Sequence, residues 1–299
     1  MLRLMIAGLV APAALAASGS VAATVPVGPK ACGMVAQGRY LYADSYGAGT
    51  LARVDPATNK VVKRIRGLGT PCGLAGGGNA VWVEDYSGNR IVRVDLKRFK
   101  ITNRIPVGRH PWDVAYAFGS VWASNETDGT VSRIDPARRK VAKTITADGA
   151  PACIRAGADA LWIGTQTGSV YRIDPATNAA VEVPVPGSTS TLCVDPEPDG
   201  IWVVNNLDST VTVLDPSDYH AVRTIQVSAA PTDAVRGADG TEWVTSRLGG
   251  SVSRIDPASG KVVDTIATGG NPFVIRAGFG DVWTADFGGT TLIRLHASS

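Results

Sequence analysis

Within Gly108–Glu126, read as GRHPWDVAYAFGSVWASNE, a histidine, a tryptophan and an aspartate fall within four positions and a glutamate follows. An imidazole beside a carboxylate is the minimal general acid–base pair, and a second carboxylate would extend it to a divalent-metal set. The chain tests that idea against itself. It has only 3 histidines, His110, His220 and His296, and a lone imidazole makes a poor relay. No GxSxG elbow and no phosphate-cradling glycine loop occurs. We therefore expect no catalytic residue. His110, Trp112, Asp113 and Glu126 are instead read as a distinctive binding lip, whose meaning depends on the elements that carry it.

Those elements repeat. An aromatic recurs as Tyr42, Trp82, Trp122, Trp162, Trp202, Trp243 and Trp283, at spacings of 40, 40, 40, 40, 41 and 40. An aspartate, mostly followed by proline, recurs as Asp55, Asp95, Asp135, Asp174, Asp215 and Asp256. Two independent markers share one period. Within a period, short runs of alternating apolar residues are punctuated by turn residues, the signature of strands. In the third unit the strands are read as 112–116, 120–124, 130–135 and 140–145. The Asp-Pro steps fall between the third and fourth strands, where proline presets φ and the carboxylate accepts local N–H bonds. Four strands per period of about 40 residues predict an all-β, seven-bladed β-propeller. The last unit lacks a fourth strand, and Thr24–Val27 resembles one. The N-terminal strand is therefore expected to complete the last blade and close the ring.

In such a ring the first strands surround a channel, and their starts share one face with the ends of the second strands. Position by position, the differences between blades are informative. Eight residues before the aromatic stand Met34, Leu74, Val114, Ile154, Val194, Val235 and Ile275, all apolar and read as packing. Seven before it stand Val35, Ala75, Ala115, Arg155, Asp195, Arg236 and Arg276. Guanidinium forks suit carboxylate or phosphate, so the arginines read as an anion-binding lip or channel. The alternative is structural, with Asp195 neutralising both Arg155 and Arg236. Four residues after the aromatic stand Tyr46, Tyr86, Glu126, Gln166, Asn206, Arg247 and Phe287. Tyr46, Tyr86 and Phe287 would adjoin across the ring closure, as a ligand or protein contact or as ordinary packing.

The 4 cysteines form two pairs, each separated by one period: Cys32 with Cys72 and Cys153 with Cys193. Equivalent positions of adjacent inner strands approach one another, which predicts these two disulfides. The alternative is four buried free thiols acting as small apolar residues. A zinc site is disfavoured by the absence of CxxC spacing.

Composition bounds the rest. With 18% charged residues, 34 glycines and a net charge of +3, the 299-residue chain has no dense basic run, which argues against a nucleic-acid groove. Met1-Leu2-Arg3 followed by the apolar stretch 4–17, with small-x-small sites at Ala14-Leu15-Ala16 and Ser20-Val21-Ala22, reads as a secretory signal peptide spanning 1–22, cleaved near 16–23. Residues 23–299 then form a single domain, with no membrane span once the signal is removed. A monomer, secreted or periplasmic, is expected.

"IWVVNNLDSTVTVLDP" and "GTVSRIDPARRKVAKTI" resemble the YVTN-type β-propeller repeat family, and the likeness extends to the related streptogramin (virginiamycin B) lyase-like propellers. The resemblance covers essentially the whole mature chain. The lyase-like members imply histidines just after the proline of inner strands, with a glutamate and a divalent metal. Here the positions ten before the aromatic hold Cys32, Cys72, Trp112, Ala152, Leu192, Asp233 and Phe273, and none is histidine. The leading expectation is an exported, non-enzymatic binding or scaffold propeller with no cofactor, using its top face for a small anionic ligand or a protein partner. The alternative is a metal-assisted lyase or hydrolase drawing on Glu84, Asp85, Asp113, Glu126 or Asp195.

Overall fold

The computed structural model describes residues 19–296. Among them there is no helix, so none is long and apolar enough to cross a membrane. The strands of the third unit run Pro111–Ala117, Ser120–Asn125, Thr130–Asp135 and Lys140–Thr146, each within two residues of its expected bounds. They pair in sequence order as one antiparallel sheet, with Ala115 opposite Trp122 and Trp122 opposite Arg133. The chain forms five such four-stranded sheets and an eight-stranded one. The larger sheet is two four-stranded units joined through a single residue pair, Thr165 with Thr191.

The repeated residues explain the repeat. All six repeat tryptophans are 0–1% exposed. Several spend the indole N–H on the hairpin joining the first two strands, as Trp122 does on the Ala117 carbonyl at 3.0 Å. In five units an arginine two residues before the turn position lies over the repeat aromatic: Arg53, Arg93, Arg133, Arg254 and Arg294, with Arg133 4.7 Å from the Trp122 ring and Arg294 5.1 Å from that of Trp283. The far ends of Arg53, Arg133 and Arg294 reach the neighbouring sheet. Arg133 donates to the Pro175 carbonyl and to Asn178 Oδ1, both at 2.8 Å. Arg294 does the same from the last sheet to the first, onto Pro56 and Asn59. One side chain thus caps the core and ties successive sheets. The turn aspartates behave as expected: Asp55, Asp135, Asp174, Asp215 and Asp256 each accept the N–H two residues on at 2.7–2.9 Å.

The first strands Ala31–Gln37, Leu74–Gly77, Pro111–Ala117, Pro151–Gly157, Thr191–Glu197, Pro231–Arg236 and Pro272–Gly278 each contact the next, and the last contacts the first. The N-terminal strand runs from Ser20 to Pro26, longer than the expected 24–27, and pairs antiparallel with Thr291–His296 to complete the final sheet. Part of the extra length, Ser20 to Ala22, is the second candidate cleavage site of the expected signal peptide. The first, at Ala16, lies outside the described residues.

Both expected disulfides are present, Cys32–Cys72 and Cys153–Cys193, each with Cα atoms 4.9 Å apart. They staple adjacent first strands around the channel.

Candidate functional site

Most first strands carry a register shift just after their opening residue, as between Pro111 and Asp113. A bulge leaves a backbone N–H out of the ladder, and a buried donor needs a partner. The side chain two residues after the repeat aromatic supplies it. Ser124 Oγ accepts from Asp113 N and Thr245 Oγ1 from Asp233 N, at 3.2 and 3.1 Å. Asp44 Oδ1 accepts from Gly33 N and Glu84 Oε1 from Gly73 N, both at 2.9 Å. Size is traded across this pair of positions. A carboxylic acid stands opposite glycine, and a small residue stands opposite aspartate. A Cβ on Gly73 would lie 2.7 Å from Asp113 Oδ1 and 3.1 Å from Glu84 Cγ, so only glycine leaves room. Asp44 and Glu84 are 0% exposed, and their second oxygens, Oδ2 and Oε2, have no hydrogen-bond partner. Burial pushes both carboxyls well above the usual range, aided for Glu84 by neighbouring Asp44.

Deeper in the channel lies an ionic tier. Asp113 and Asp233 occupy the same place in their strands, two residues after Pro111 and Pro231. Arg155 bridges them, with Nη1 2.6 Å from Asp113 Oδ2 and Nη2 3.0 Å from both oxygens of Asp233. Arg276 Nη1 donates to Asp233 Oδ2 at 2.5 Å. Backbone N–H groups of Val114, Ile154, Ala234 and Ile275 take up the remaining carboxylate valences. Burial opposes the charge on Arg155, but Asp233 and Asp113 outweigh it and raise its pKa.

This tier corrects three expectations. Arg155 and Arg276 are not a free anion lip, because their guanidiniums are committed to Asp113 and Asp233. Asp195 is not the neutralising carboxylate of Arg155 and Arg236: it accepts the Arg236 backbone N–H at 2.9 Å, while the Arg236 guanidinium pairs with Glu242 and Asp199. Nor does Arg236 share a level with Arg155. Arg155 stands opposite Trp162, whereas Val235 stands opposite Trp243 and Arg236 opposite Glu242. The one 41-residue spacing, before Trp243, was the signal. The extra residue sits in the hairpin after Arg236, so counting back from the aromatic slips by one. Counting forward from proline aligns Asp233 with Asp113 and would have found it.

Asp195 and Glu242 are a second pair of neighbouring buried carboxyls, each acting on the other's titration. Burial, with Glu197 nearby, pushes Asp195 up to about 6. Burial and Asp195 together push Glu242 well above its usual range.

Above the ionic tier the channel opens into a cup of about 470 Å³. One wall is Tyr86 and Trp112, edge to face with centroids 6.3 Å apart. His110 stacks flat on the far side of Tyr86 at 4.5 Å, and its Nδ1 lies 2.7 Å from Thr127 Oγ1. Glu126 accepts from the Tyr86 hydroxyl at 2.6 Å and from Gln166 Nε2 at 2.7 Å. A second aromatic group is Phe273, Phe287 and Tyr46, in contact at 5.3 and 5.9 Å, with Lys30 Nζ 5.6 Å from the Tyr46 ring. Tyr46 and Phe287 therefore adjoin across the closure as expected, and Tyr86 lines the same cup, near enough to Tyr46 to feel it electrostatically. Arg247, Leu192, Asn206 and Leu207 complete the rim, and Cys72, Glu84 and Thr232 lie deeper. The stretch that began the sequence reading divides here: His110, Trp112 and Glu126 shape the cup, but Asp113 is 6% exposed and belongs to the tier below.

The polar groups of the cup are mostly engaged. Asn206 Nδ2 donates to the Pro231 carbonyl and Thr232 Oγ1 to that of Phe273. The Arg247 guanidinium has no hydrogen bond, ion pair or ring contact among the described residues, and its Nε is buried. The histidine-and-glutamate metal set implied by the resemblance does not fit these residues. His220 and His296 lie elsewhere, against Asp218 and Asp281. Among the described residues, metal-sized groupings are Cys153, Cys193 and Asp233, whose sulfurs are tied in a disulfide, and an exposed set of Asp215, Asp218 and His220.

No family model matches the chain, and no curated protein matches it. Solved structures do. A streptogramin B lyase structure superposes with a TM-score of 0.81 over 92% of this chain and 97% of that one, at 16% identity. A catalytically inactive virginiamycin B lyase from Staphylococcus aureus with quinupristin gives 0.80, covering 92% and 99%, at 14% identity. At such identities the likeness concerns architecture alone: the chain has the β-propeller fold.

Proposed function

We propose that the protein is an exported, seven-bladed β-propeller that binds a small ligand in the top cup without transforming it. One observation carries this reading. The cup narrows sharply: about 470 Å³ of aromatic-walled space leads down to a space of about 30 Å³ lined by Arg155, Asp113, Asp233 and Arg276. Ligand sites are typically concave, mostly apolar and about 300–1,000 Å³. A cup that narrows in this way suits retention of a molecule rather than its passage. The two disulfides support an oxidising compartment, periplasmic or extracellular. Cleavage after Ala16 would leave the strand Ser20–Pro26 whole, and we favour it over the site at Ala22.

The test uses the position of Trp112, the one tryptophan of the 7 outside the repeat core. A small-molecule collection screened by thermal shift, with and without divalent metal, should yield ligands that change tryptophan emission in the native protein and not in Trp112→Phe. A stabilisation that requires metal and is reversed by chelation would favour the metal-assisted alternative instead. The seven-bladed closure is tested separately by truncation to residue 29. Loss of the strand 20–26 exposes the edge of Thr291–His296, and a fall in Tm of several degrees is expected.

A further inference from the structure

The chemical class of the ligand follows from which valences of the cup remain unspent. Most polar side chains around the cup already have partners within the protein. Two stand out: the Arg247 guanidinium, unpartnered at the rim, and Glu84 Oε2, unpartnered at the floor. A buried guanidinium nitrogen without an acceptor is costly, and a carboxylate or sulfonate is its natural complement. The surrounding charges agree. Lys30 adds a second cation, lying over the Tyr46 and Phe287 rings. Of the acids nearby, Glu126 is masked by the Tyr86 hydroxyl and by Gln166. Burial and neighbouring Asp44 push the Glu84 carboxyl well above its usual range, which favours its neutral form and weakens any repulsion of an anion. The two aromatic groups lining the cup, Tyr86–Trp112 and Tyr46–Phe273–Phe287, favour a flat ring packed among them.

We propose that the cup takes an aromatic monoanion, an aryl carboxylate or sulfonate whose acid group sits on Arg247 and whose ring packs among the two aromatic groups. This rests on the cup being a ligand site, and it deepens that reading by naming what enters. The earlier-named arginines of the channel play no part, because they are spent on Asp113 and Asp233.

The experiment is isothermal titration of the full-length mature protein with benzoate, 4-hydroxycinnamate and naphthalene-2-carboxylate, each beside its neutral amide. Tryptophan emission is followed in the same samples. The acids should bind at least about tenfold more tightly than their amides, and Arg247→Ala should weaken the acids by about 10- to 100-fold while leaving the amides within roughly twofold. Arg247→Lys should retain part of the preference for the acid. Because Arg247 has no polar partner among the described residues, the variants should fold, and an unchanged circular dichroism spectrum and Tm verify it. Equal affinity for acid and amide, or acids indifferent to Arg247→Ala, overturns the proposed class. If neutral aromatics still change the Trp112 signal, the cup itself survives. If neither acids nor amides bind and the emission never changes, both readings fall.

Discussion

The ionic tier and the cup lie in one channel, a few residues apart along the same strands, and they treat charge in opposite ways. In the tier, Arg155 and Arg276 are matched by Asp113 and Asp233, and backbone N–H groups fill what remains of the carboxylates. In the cup, Arg247 is matched by no polar group among the described residues and Glu84 keeps one oxygen without a partner there. The tier contains more charge, yet the cup has more capacity to recognise something. Counting charged residues finds the first region. Counting unspent valences finds the second. A paired buried charge contributes to the integrity of the fold, because removing its partner strands it, whereas an unpaired one at a cavity wall is available to a ligand.

The contrast can be broken most forcefully at Asp233. Asp233→Asn leaves Arg155 and Arg276 facing one carboxylate, and urea unfolding should show a loss of about 3–5 kcal/mol. A loss below about 1 kcal/mol would mean that water already shares the tier and that it is no structural tie. Next in size is the Cys153–Cys193 bridge beside the tier. The double serine variant should cost about 2–4 kcal/mol in the same assay.

A smaller effect, visible only as a pH dependence, is expected from Asp195 and Glu242. Asp195 is raised from 3.8 to about 6 in the folded protein. Below the unfolded value both states hold the proton and its contribution to stability is complete. As pH rises toward about 6 the unfolded chain releases its proton first, so that contribution is lost across this window. Asp195→Asn should therefore flatten the decline relative to the native protein, read from urea midpoints at successive pH values. A steeper decline in the variant would reverse the assignment. The smallest expected effect sharpens the comparison from the other side. Arg247→Ala should change stability by no more than about 0.5 kcal/mol, since it breaks no hydrogen bond, ion pair or ring contact among the described residues. A loss comparable to that of Asp233→Asn would show that Arg247 is a fold residue after all.

Much of this was legible in the residues. The aromatic and Asp-Pro periods located the strands of the third unit to within two residues, because turn chemistry and cross-strand packing are local and recur with the chain, whereas the closing strand began four residues earlier than expected. The cysteine pairs followed from the same equivalence. The cup was partly legible: Tyr46, Tyr86, His110, Trp112, Glu126, Arg247 and Phe287 all lie in or beside it. Phe273, Leu192 and Leu207 were missed, since an apolar side chain carries no sign of which surface it faces. Asp233 was missed for a different reason. A one-residue insertion in a hairpin changed its apparent position, and strand pairing, not spacing, sets which residues share a level.

The sequence by itself determined the repeat, its four-stranded unit, the turns and the cysteine pairing, since each depends on residues one strand or one period apart. Only the tertiary structure decided which arginine is free. Arg155 and Asp233 are 78 residues apart and meet across the channel, whereas Arg247 meets no carboxylate among the described residues. A guanidinium has the same chemistry at every position in a chain, and what separates a strut from a binding group is whether an acceptor from a distant strand has reached it first.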